Sequence, residues 1–257
     1  MSEGKKEILL GDCLELMKDI PNGSIDMILC DLPYGTTACK WDTIIPFEPL
    51  WEQYKRIIKD NGAIVLTASQ PFTSALVMSN IKDFRYEIIW EKGKATGHTL
   101  AKKRQLKAHE NICIFYKKQP NYNPQMTIGR PFKGRNNIKV YKKPSEEWNI
   151  KQGSRADNNG TRYPRSVIKI SNVNKKNQHP TQKPVALFEY LIKTYTNEGD
   201  LVLDNCAGSG TTAIACLNMN RQFIVMEKEQ KYYDIILKRV GDFNKSFSHG
   251  TLFNVVE

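Results

Sequence analysis

No apolar run in this 257-residue chain approaches the roughly 20 residues that a membrane-spanning helix needs, so no partner membrane is expected. The opening residues MSEGKKE lead only into Ile8-Leu9-Leu10, without the long apolar core and small-residue cleavage site of a secretory leader. The six cysteines (13, 30, 39, 113, 206 and 216) form no CxxC pair and follow no metal-ligand spacing. Several sit in apolar, strand-like runs, so reduced, buried thiols in a cytoplasmic protein are expected and no metal is. There is no internal repeat. At 29.5 kDa the chain is long enough to bury one good core, either as one large domain or as a core carrying an inserted module.

Charge is present in excess and unevenly spread. Residues 117–178 hold 15 Lys and Arg against three acids, a net of +12, which leaves the remainder of the +11 chain at −1. A basic stretch inside a nearly neutral frame is the footprint of a polyanion-binding surface, and equally of a solvated face. The stretch is rich in Asn, Gly, Pro and Lys, shows little periodicity, and is long for a passive connection. It is therefore expected to be a functional insert at 117–178, between core segments 1–116 and 179–257. One strand is expected inside it, at Ser166–Ile170.

The core segments alternate. Ile25–Cys30, Ala63–Ala68, Tyr86–Trp90, Asn111–Tyr116, Leu201–Leu203 and Phe223–Met226 read as strands, the first two and last two as buried apolar runs. Helices are expected over Leu14–Asp19, Phe47–Lys59 with Asn61-Gly62 as its stop, Pro71–Asn80, Pro184–Tyr195, Thr211–Asn218 and Gln230–Phe243. Glu91–Glu110 is expected to be a mobile loop. Strands alternating with helices predict an α/β fold with a doubly wound, mostly parallel sheet.

Two strand ends carry the chemistry. Leu201–Leu203 stops at Asp204 and turns through Cys206, Ala207, Gly208, Ser209 and Gly210 into a helix beginning Thr211-Thr212. Such a turn lets a ligand approach the backbone and the free N–H groups of a helix start. The next strand ends in Glu227, where a carboxylate can accept hydrogen bonds from ribose hydroxyls. The pairing suits a nucleoside cofactor. A dinucleotide is the weaker fit, because the pattern is GxG without a third glycine. The second strand end, Asp31-Leu32-Pro33-Tyr34, follows Ile25–Cys30 and offers a carboxylate, a backbone carbonyl and an aromatic face.

DNCAGSGTT (204–212) and DLPY (31–34) resemble motifs I and IV of the S-adenosylmethionine-dependent amino-DNA methyltransferases, and HPTQKP (179–184) resembles the segment before motif I. The order DLPY, basic stretch, HPTQKP, glycine turn is similar to the β arrangement of that family. The resemblance implies a Rossmann-like methyltransferase sheet with permuted motif order, and a basic target-recognition insert. It implies S-adenosyl-L-methionine along Gly208 and Gly210, with Asp204 near its amino group and Glu227 on its ribose. Thr181, Lys183 and Thr212 fall at the methionine end, and Cys206 and Thr211 belong to the same turn. Asp12 and Cys13 occupy the motif III position facing the adenine. Asp12 fits equally as an N-cap for the following helix, and Lys183 as a surface residue.

The family pattern also implies a mechanism. An exocyclic amino group is a poor nucleophile because its lone pair is delocalised into the ring. Hydrogen bonds from its N–H groups to the Asp31 carboxylate and the Leu32 carbonyl favour the electron-rich, pyramidal nitrogen. Tyr34 would stack on the base and Pro33 would stiffen the turn. Leu32 stands where the family more usually has proline, and an aromatic residue usual near Cys206 is missing.

A paired base cannot reach such a pocket, so the target is expected to be flipped out of double-stranded DNA. Arg130, Lys133, Arg135, Lys139, Lys142, Lys143, Arg155, Arg162 and Arg165 are the expected phosphate or base contacts. Asp at position 31 leans towards adenine N6 over cytosine N4. A catalytically inactive DNA-binding partner subunit is the alternative of another class. The resemblance further implies a prokaryotic or phage-encoded, nucleoid-associated enzyme, with a homodimer and a cognate restriction endonuclease as partners to test.

Overall fold

The computed structural model describes residues 5–36, 42–134, 157–172 and 182–246. Its elements in chain order are β1 (Lys6–Leu10), α1 (Cys13–Leu16), β2 (Ile25–Cys30), α2 (Phe47–Ile57), β3 (Ile58–Ala68), α3 (Phe72–Ser79), β4 (Phe84–Thr96), β5 (Lys107–Phe115), β6 (Thr127–Ile128), β7 (Thr161–Arg162), β8 (Val167–Ile170), α4 (Val185–Tyr195), β9 (Leu201–Asp204), α5 (Thr211–Asn218), β10 (Gln222–Glu227) and α6 (Gln230–Ser246).

Eight strands form one sheet in the order β1-β10-β9-β2-β3-β5-β4-β8. Only β5 runs against the others: it pairs antiparallel with β3 and β4, and every other neighbouring pair is parallel. The alternation of buried side chains along β2 shows why helices must cover both faces. Met27 and Leu29 pack with Leu187, Leu191, Ala213 and Ile236 of α4, α5 and α6. Ile28 and Cys30 pack with Met17, Leu50, Tyr54 and Leu76 on the side of α1, α2 and α3. A strand buried on both faces reads as an unbroken apolar run, which is how IDMILC is written. The fold is the doubly wound, Rossmann-like α/β sheet.

The direction of winding reverses between β9 and β2, which are hydrogen-bonded neighbours with Met27 opposite Val202 and Ile28 opposite Leu203. From β9 the chain winds outward through α5 to β10, and from β2 it winds the other way through α2 to β3. A crevice therefore opens outside the carboxyl ends of these two strands.

Three expectations shift. The helix expected to end at Lys59 stops at Ile57, and Ile58 already pairs with Ile25. Asn61-Gly62 then lies in an irregular stretch of β3, before Met27 pairs with Ala63. A Cβ on Gly62 would fall 2.9 Å from the Asp26 carbonyl oxygen, so glycine there serves close backbone approach. The stretch 91–110, expected as a loop, is mostly strand: Glu91 pairs with His109 and Thr96 with Lys107, leaving a short tip with a 3-10 turn at His98–Leu100. Its charged, largely exposed side chains gave no apolar alternation to read.

Finally, the compact second unit is Pro124–Arg165, while residues 166–172 belong with the core: β8 pairs with β4, and Trp90 Nε1 donates to the Ile170 carbonyl at 2.9 Å. The smaller unit holds β6 antiparallel to β7, and a bridge between Phe132 and Asn158.

Candidate active site

A cavity of about 370 Å³ opens at the carboxyl ends of the parallel strands. It is lined by Gly11–Leu14 after β1, Asp31–Tyr34 after β2, residues 204–209 after β9, Glu227–Glu229 after β10, and Gln182-Lys183 ahead of α4. Asp31 and the glycine turn, 173 residues apart in sequence, thus face one space. Six carboxylates (Asp12, Asp31, Asp42, Asp204, Glu227, Glu229) line it against two lysines, Lys183 and Lys228, so the lining favours a cationic ligand.

Asp31 is densely hydrogen-bonded. Its Oδ1 accepts from the Tyr34 hydroxyl at 2.6 Å and from Thr67 Oγ1, and its Oδ2 accepts from Lys183 Nζ at 2.6 Å. The Tyr34 ring stacks on Phe72, with centroids 5.2 Å apart at 28°, and Lys183 Nζ lies 5.4 Å from its centroid. Burial, then the Asp31 charge, raises the Tyr34 hydroxyl well above its ordinary range, so it stays a donor. Leu32 is buried among Leu50, Trp51 and Phe72, so the residue replacing the usual proline contributes to the core. The loop beyond Tyr34 is held by Asp42, which accepts from the Gly35 and Thr36 amides, each at 2.9 Å.

Lys183 is buried, and so is not the surface residue that its position before a helix allowed. Besides Asp31 it meets Glu110 Oε2 at 3.3 Å, and Glu110 Oε1 in turn meets Lys92 at 2.5 Å. Burial alone would lower the Lys183 ammonium; the charges of Asp31 and Glu110 outweigh it and raise its pKa.

Gly208 and Gly210 have φ of 55° and 78°, in the left-handed region that glycine enters without strain. Glu227 fastens this turn from the neighbouring strand: its Oε2 accepts from the Gly208 amide at 2.8 Å and its Oε1 from the Glu229 amide at 2.9 Å. Burial raises its pKa against those backbone donors. Asp204 is buried in the cavity wall. Its Oδ1 accepts from the Cys206 amide at 3.0 Å and its Oδ2 from the Thr212 hydroxyl, while burial pushes its carboxyl up to about 6. Thr211 Oγ1 donates to the Lys183 carbonyl at 3.4 Å, tying the start of α5 to the segment before α4.

Asp12 caps α1 by accepting from the Leu14 amide at 2.9 Å and also meets Lys228 at 3.3 Å, while lining the cavity. The capping role and the position facing the cavity therefore coexist. Cys13 and Cys206 line the same floor, and burial drives the Cys30 thiol beneath them up to about 12. Next to Cys206, near which the family usually has an aromatic residue, Asn205 accepts from the buried Tyr54 hydroxyl at 2.5 Å.

Of the basic residues, Arg130, Lys133 and Arg165 are exposed, and Arg162 is half-buried within the smaller unit. The Arg162 guanidinium lies 5.0 Å from the Phe132 ring centroid and donates to the Arg130 carbonyl at 2.5 Å. Thr181, Arg135, Lys139, Lys142, Lys143 and Arg155 lie outside the described residues.

Sequence reasoning missed Thr67, Glu110, Lys92 and Asp42. Thr67 and Glu110 carry a usable signal: each is a polar residue within or beside the buried runs AIVLTA and NICIF, where an unpaired polar group would be costly. Asp42 and Lys92 stand in no pattern at all.

The chain is similar to known DNA methyltransferases in both sequence and fold. DNA adenine methyltransferase YhdJ of Escherichia coli (strain K12) is 29% identical over 252 residues, covering 91% of this chain and 82% of its own. The crystal structure of the M1.HpyAVI-SAM complex superposes with a TM-score of 0.62 at 25% identity, covering 91% of this chain and 98% of that one. PvuII DNA methyltransferase (cytosine-N4-specific) shares the fold, with a TM-score of 0.66 at 17% identity, covering 91% and 86%. The N6_N4_Mtase family model, described as DNA methylase, matches residues 25–238, a span that takes in both strand-end motifs and everything between them, and the chain belongs to that family of DNA methyltransferases.

Proposed function

We propose that this enzyme moves a methyl group from S-adenosylmethionine to the exocyclic N6 of adenine in a base flipped out of double-stranded DNA. The observation that carries the reading is the convergence of Asp31 and the 204–212 turn on one cavity from adjacent parallel strands. The lining suits the cofactor: its volume lies in the range of small-molecule sites, and its acidic excess complements a sulfonium and an ammonium. S-adenosylmethionine, when bound, supplies a methyl group activated on its sulfonium.

The chain's own residues do the rest. Asp204 receives the cofactor's ammonium, with Thr181, Lys183, Thr211 and Thr212 around the methionine end. Asp12, Cys13 and Cys206 flank the nucleoside. The Glu227 carboxylate accepts from the Gly208 and Glu229 amides, and its remaining acceptor capacity serves the ribose hydroxyls. At the acceptor, Asp31 and the Leu32 carbonyl take the two amino hydrogens and concentrate electron density on the nitrogen. Thr67 and Tyr34 hold the carboxylate in place from behind. After transfer the acidic methylammonium loses its proton to Asp31 or to water. The basic stretch contacts phosphate and so offsets the cost of unstacking, a few kcal/mol.

Adenine is favoured by Asp at position 31 and by the name of the YhdJ relative. The reading carries with it a cytoplasmic, nucleoid-associated bacterial or phage enzyme, with a homodimer and a cognate restriction endonuclease as partners to test. The deciding experiment is nucleoside mass spectrometry of DNA incubated with the protein and labelled S-adenosylmethionine. N6-methyladenine is expected, with a loss of about a hundredfold or more in Asp31→Ala. N4-methylcytosine without N6-methyladenine overturns the choice of base, and undiminished transfer by Asp31→Ala overturns the assigned role.

A further inference from the structure

Four charged side chains form an alternating chain behind the acceptor site: Lys92, Glu110, Lys183 and Asp31, with contacts of 2.5, 3.3 and 2.6 Å. Three of them are nearly enclosed, with side-chain exposures of 8% for Lys92, 12% for Glu110 and 8% for Lys183; Asp31, at the cavity, is 23% exposed. Asp31 Oδ1 is occupied by Tyr34 and Thr67, so Oδ2 is the oxygen open to an incoming amino group, and Lys183 sits on it. An ammonium there competes for the acceptor and stands beside a nitrogen that becomes positive as it attacks. Glu110 Oε2, meanwhile, is buried and makes no hydrogen bond, although Lys183 Nζ is only 3.3 Å away. The pair is held by charge at a long separation, without the geometry of a hydrogen bond, so this buried oxygen can take a closer contact from the same ammonium.

We propose that Lys183 is a two-position residue, parked on Asp31 before the base arrives and drawn onto Glu110 Oε2 as the target amino group takes Asp31 Oδ2, which makes Glu110 a positioning residue for methyl transfer. The movement is small: closing 3.3 Å to an ordinary charge-assisted contact of about 2.8 Å needs only a turn of the flexible lysine stem. The backbone need not follow, because Pro184 fixes the entry to α4. All four groups keep their charges, and the hydrogen bond lost at Asp31 is regained at Glu110. The charged and titratable groups facing Lys183 are Asp31 and Tyr34 after β2, and Glu110, Lys107 and Lys92 from the β4–β5 hairpin. The inference rests on the reading of Asp31 as the amino-group acceptor.

Glu110→Gln tests it, because glutamine keeps the size and offers a single oxygen, which Lys92 claims. Lys183 then stays on Asp31. The expected result is a fall in kcat of about tenfold or more, with KM for S-adenosylmethionine and for DNA within about twofold of wild type. At saturating S-adenosylmethionine, which offsets any loss of cofactor binding, adding Lys183→Met to Glu110→Gln removes the parked cation and is expected to raise kcat above that of the single variant. A purely structural role predicts the reverse. Wild-type kcat in Glu110→Gln, or a double variant slower than the single, overturns the proposal. The wild-type complex with DNA and a cofactor analogue gives a second measurement that needs no variant: its crystal structure should show Lys183 Nζ bonded to Glu110, and Nζ still on Asp31 Oδ2 overturns the proposal. Undiminished transfer by Asp31→Ala would instead remove the reading on which it rests.

Discussion

Asp204→Asn should make the cofactor-free protein more stable and a worse binder of its cofactor. Asp204 is 2% exposed, and burial raises its carboxyl from an ordinary 3.8 to about 6 despite donors from Cys206 and Thr212. The sign follows from linkage. The folded protein holds this proton more tightly than the unfolded chain does, so the group's stabilising effect is full below about pH 3.8 and is lost as pH rises through about 6. Above that pH the buried charge costs roughly two pH units at about 1.4 kcal/mol each, about 3 kcal/mol. Asparagine removes the charge and keeps the shape. Its oxygen can accept from the Cys206 amide, and its amide can donate to a Thr212 hydroxyl turned to accept. Some hydrogen-bond strength is lost with the charge, so the expected gain at pH 8 is about 1–3 kcal/mol, or about 2–10 °C in Tm for a chain of this size.

Thermal unfolding of both proteins between pH 5 and pH 8 reads this directly. The variant should melt higher at pH 8, and the gap should narrow steadily as pH falls below 6, where folded wild-type Asp204 takes up its proton. A variant less stable than wild type at pH 8, or a gap that does not change with pH, refutes the argument that burial sets this carboxyl. Isothermal titration with S-adenosylmethionine supplies the other half: on the proposed role of Asp204 as the partner of the cofactor's ammonium, loss of the carboxylate should weaken binding by at least about tenfold.

Gly62→Ala places a Cβ 2.9 Å from the Asp26 carbonyl oxygen and 2.6 Å from Ile58 Cγ1. It should cost about 1–3 kcal/mol in urea unfolding. Arg221 is buried where the loops after α4 and α5 meet, donating to Thr196 Oγ1 at 3.0 Å, to the Thr196 carbonyl at 2.9 Å and to the Met219 carbonyl. Arg221→Met leaves two carbonyls without this donor and should lower stability by about 2–4 kcal/mol, measured as a lower urea midpoint at unchanged m. The net charge of +12 over residues 117–178 should make DNA binding steeply salt-dependent, weakening by about a hundredfold or more between roughly 50 and 200 mM salt in fluorescence anisotropy. Binding insensitive to salt would remove the basic stretch as the DNA face.

Much of the site was legible because its signals are local. A strand buried on both faces has to be written as an apolar run, so IDMILC and LVL announce themselves, and the residues that end them, Asp31 and Asp204, mark the carboxyl edge of the sheet. Gly208 and Gly210 stand where the backbone takes a left-handed turn, a requirement of the residues themselves. Glu227 follows from its place at the end of the next such strand. The hairpin 91–110 was illegible for the opposite reason: its paired strands are written in charged and polar residues, mostly exposed and with Lys92 and Glu110 enclosed only by the fold, so nothing in their composition separates strand from loop.

What surrounds Asp31 could not be read along the chain at all. Lys183 lies 152 residues away, Thr67 36 and Glu110 79, and each arrives through sheet order: β3 beside β2, β5 beside β3, and α4 leading into β9. Pairings between distant strands are chosen by which apolar faces can be buried together, a property of the whole sheet that no short segment encodes. The residue types in this chain thus set the chemistry on offer, a carboxylate beside a glycine turn. The folded sheet sets which groups that carboxylate meets, because only there do the 2.6 Å contact to Lys183 and the open oxygen of Glu110 exist.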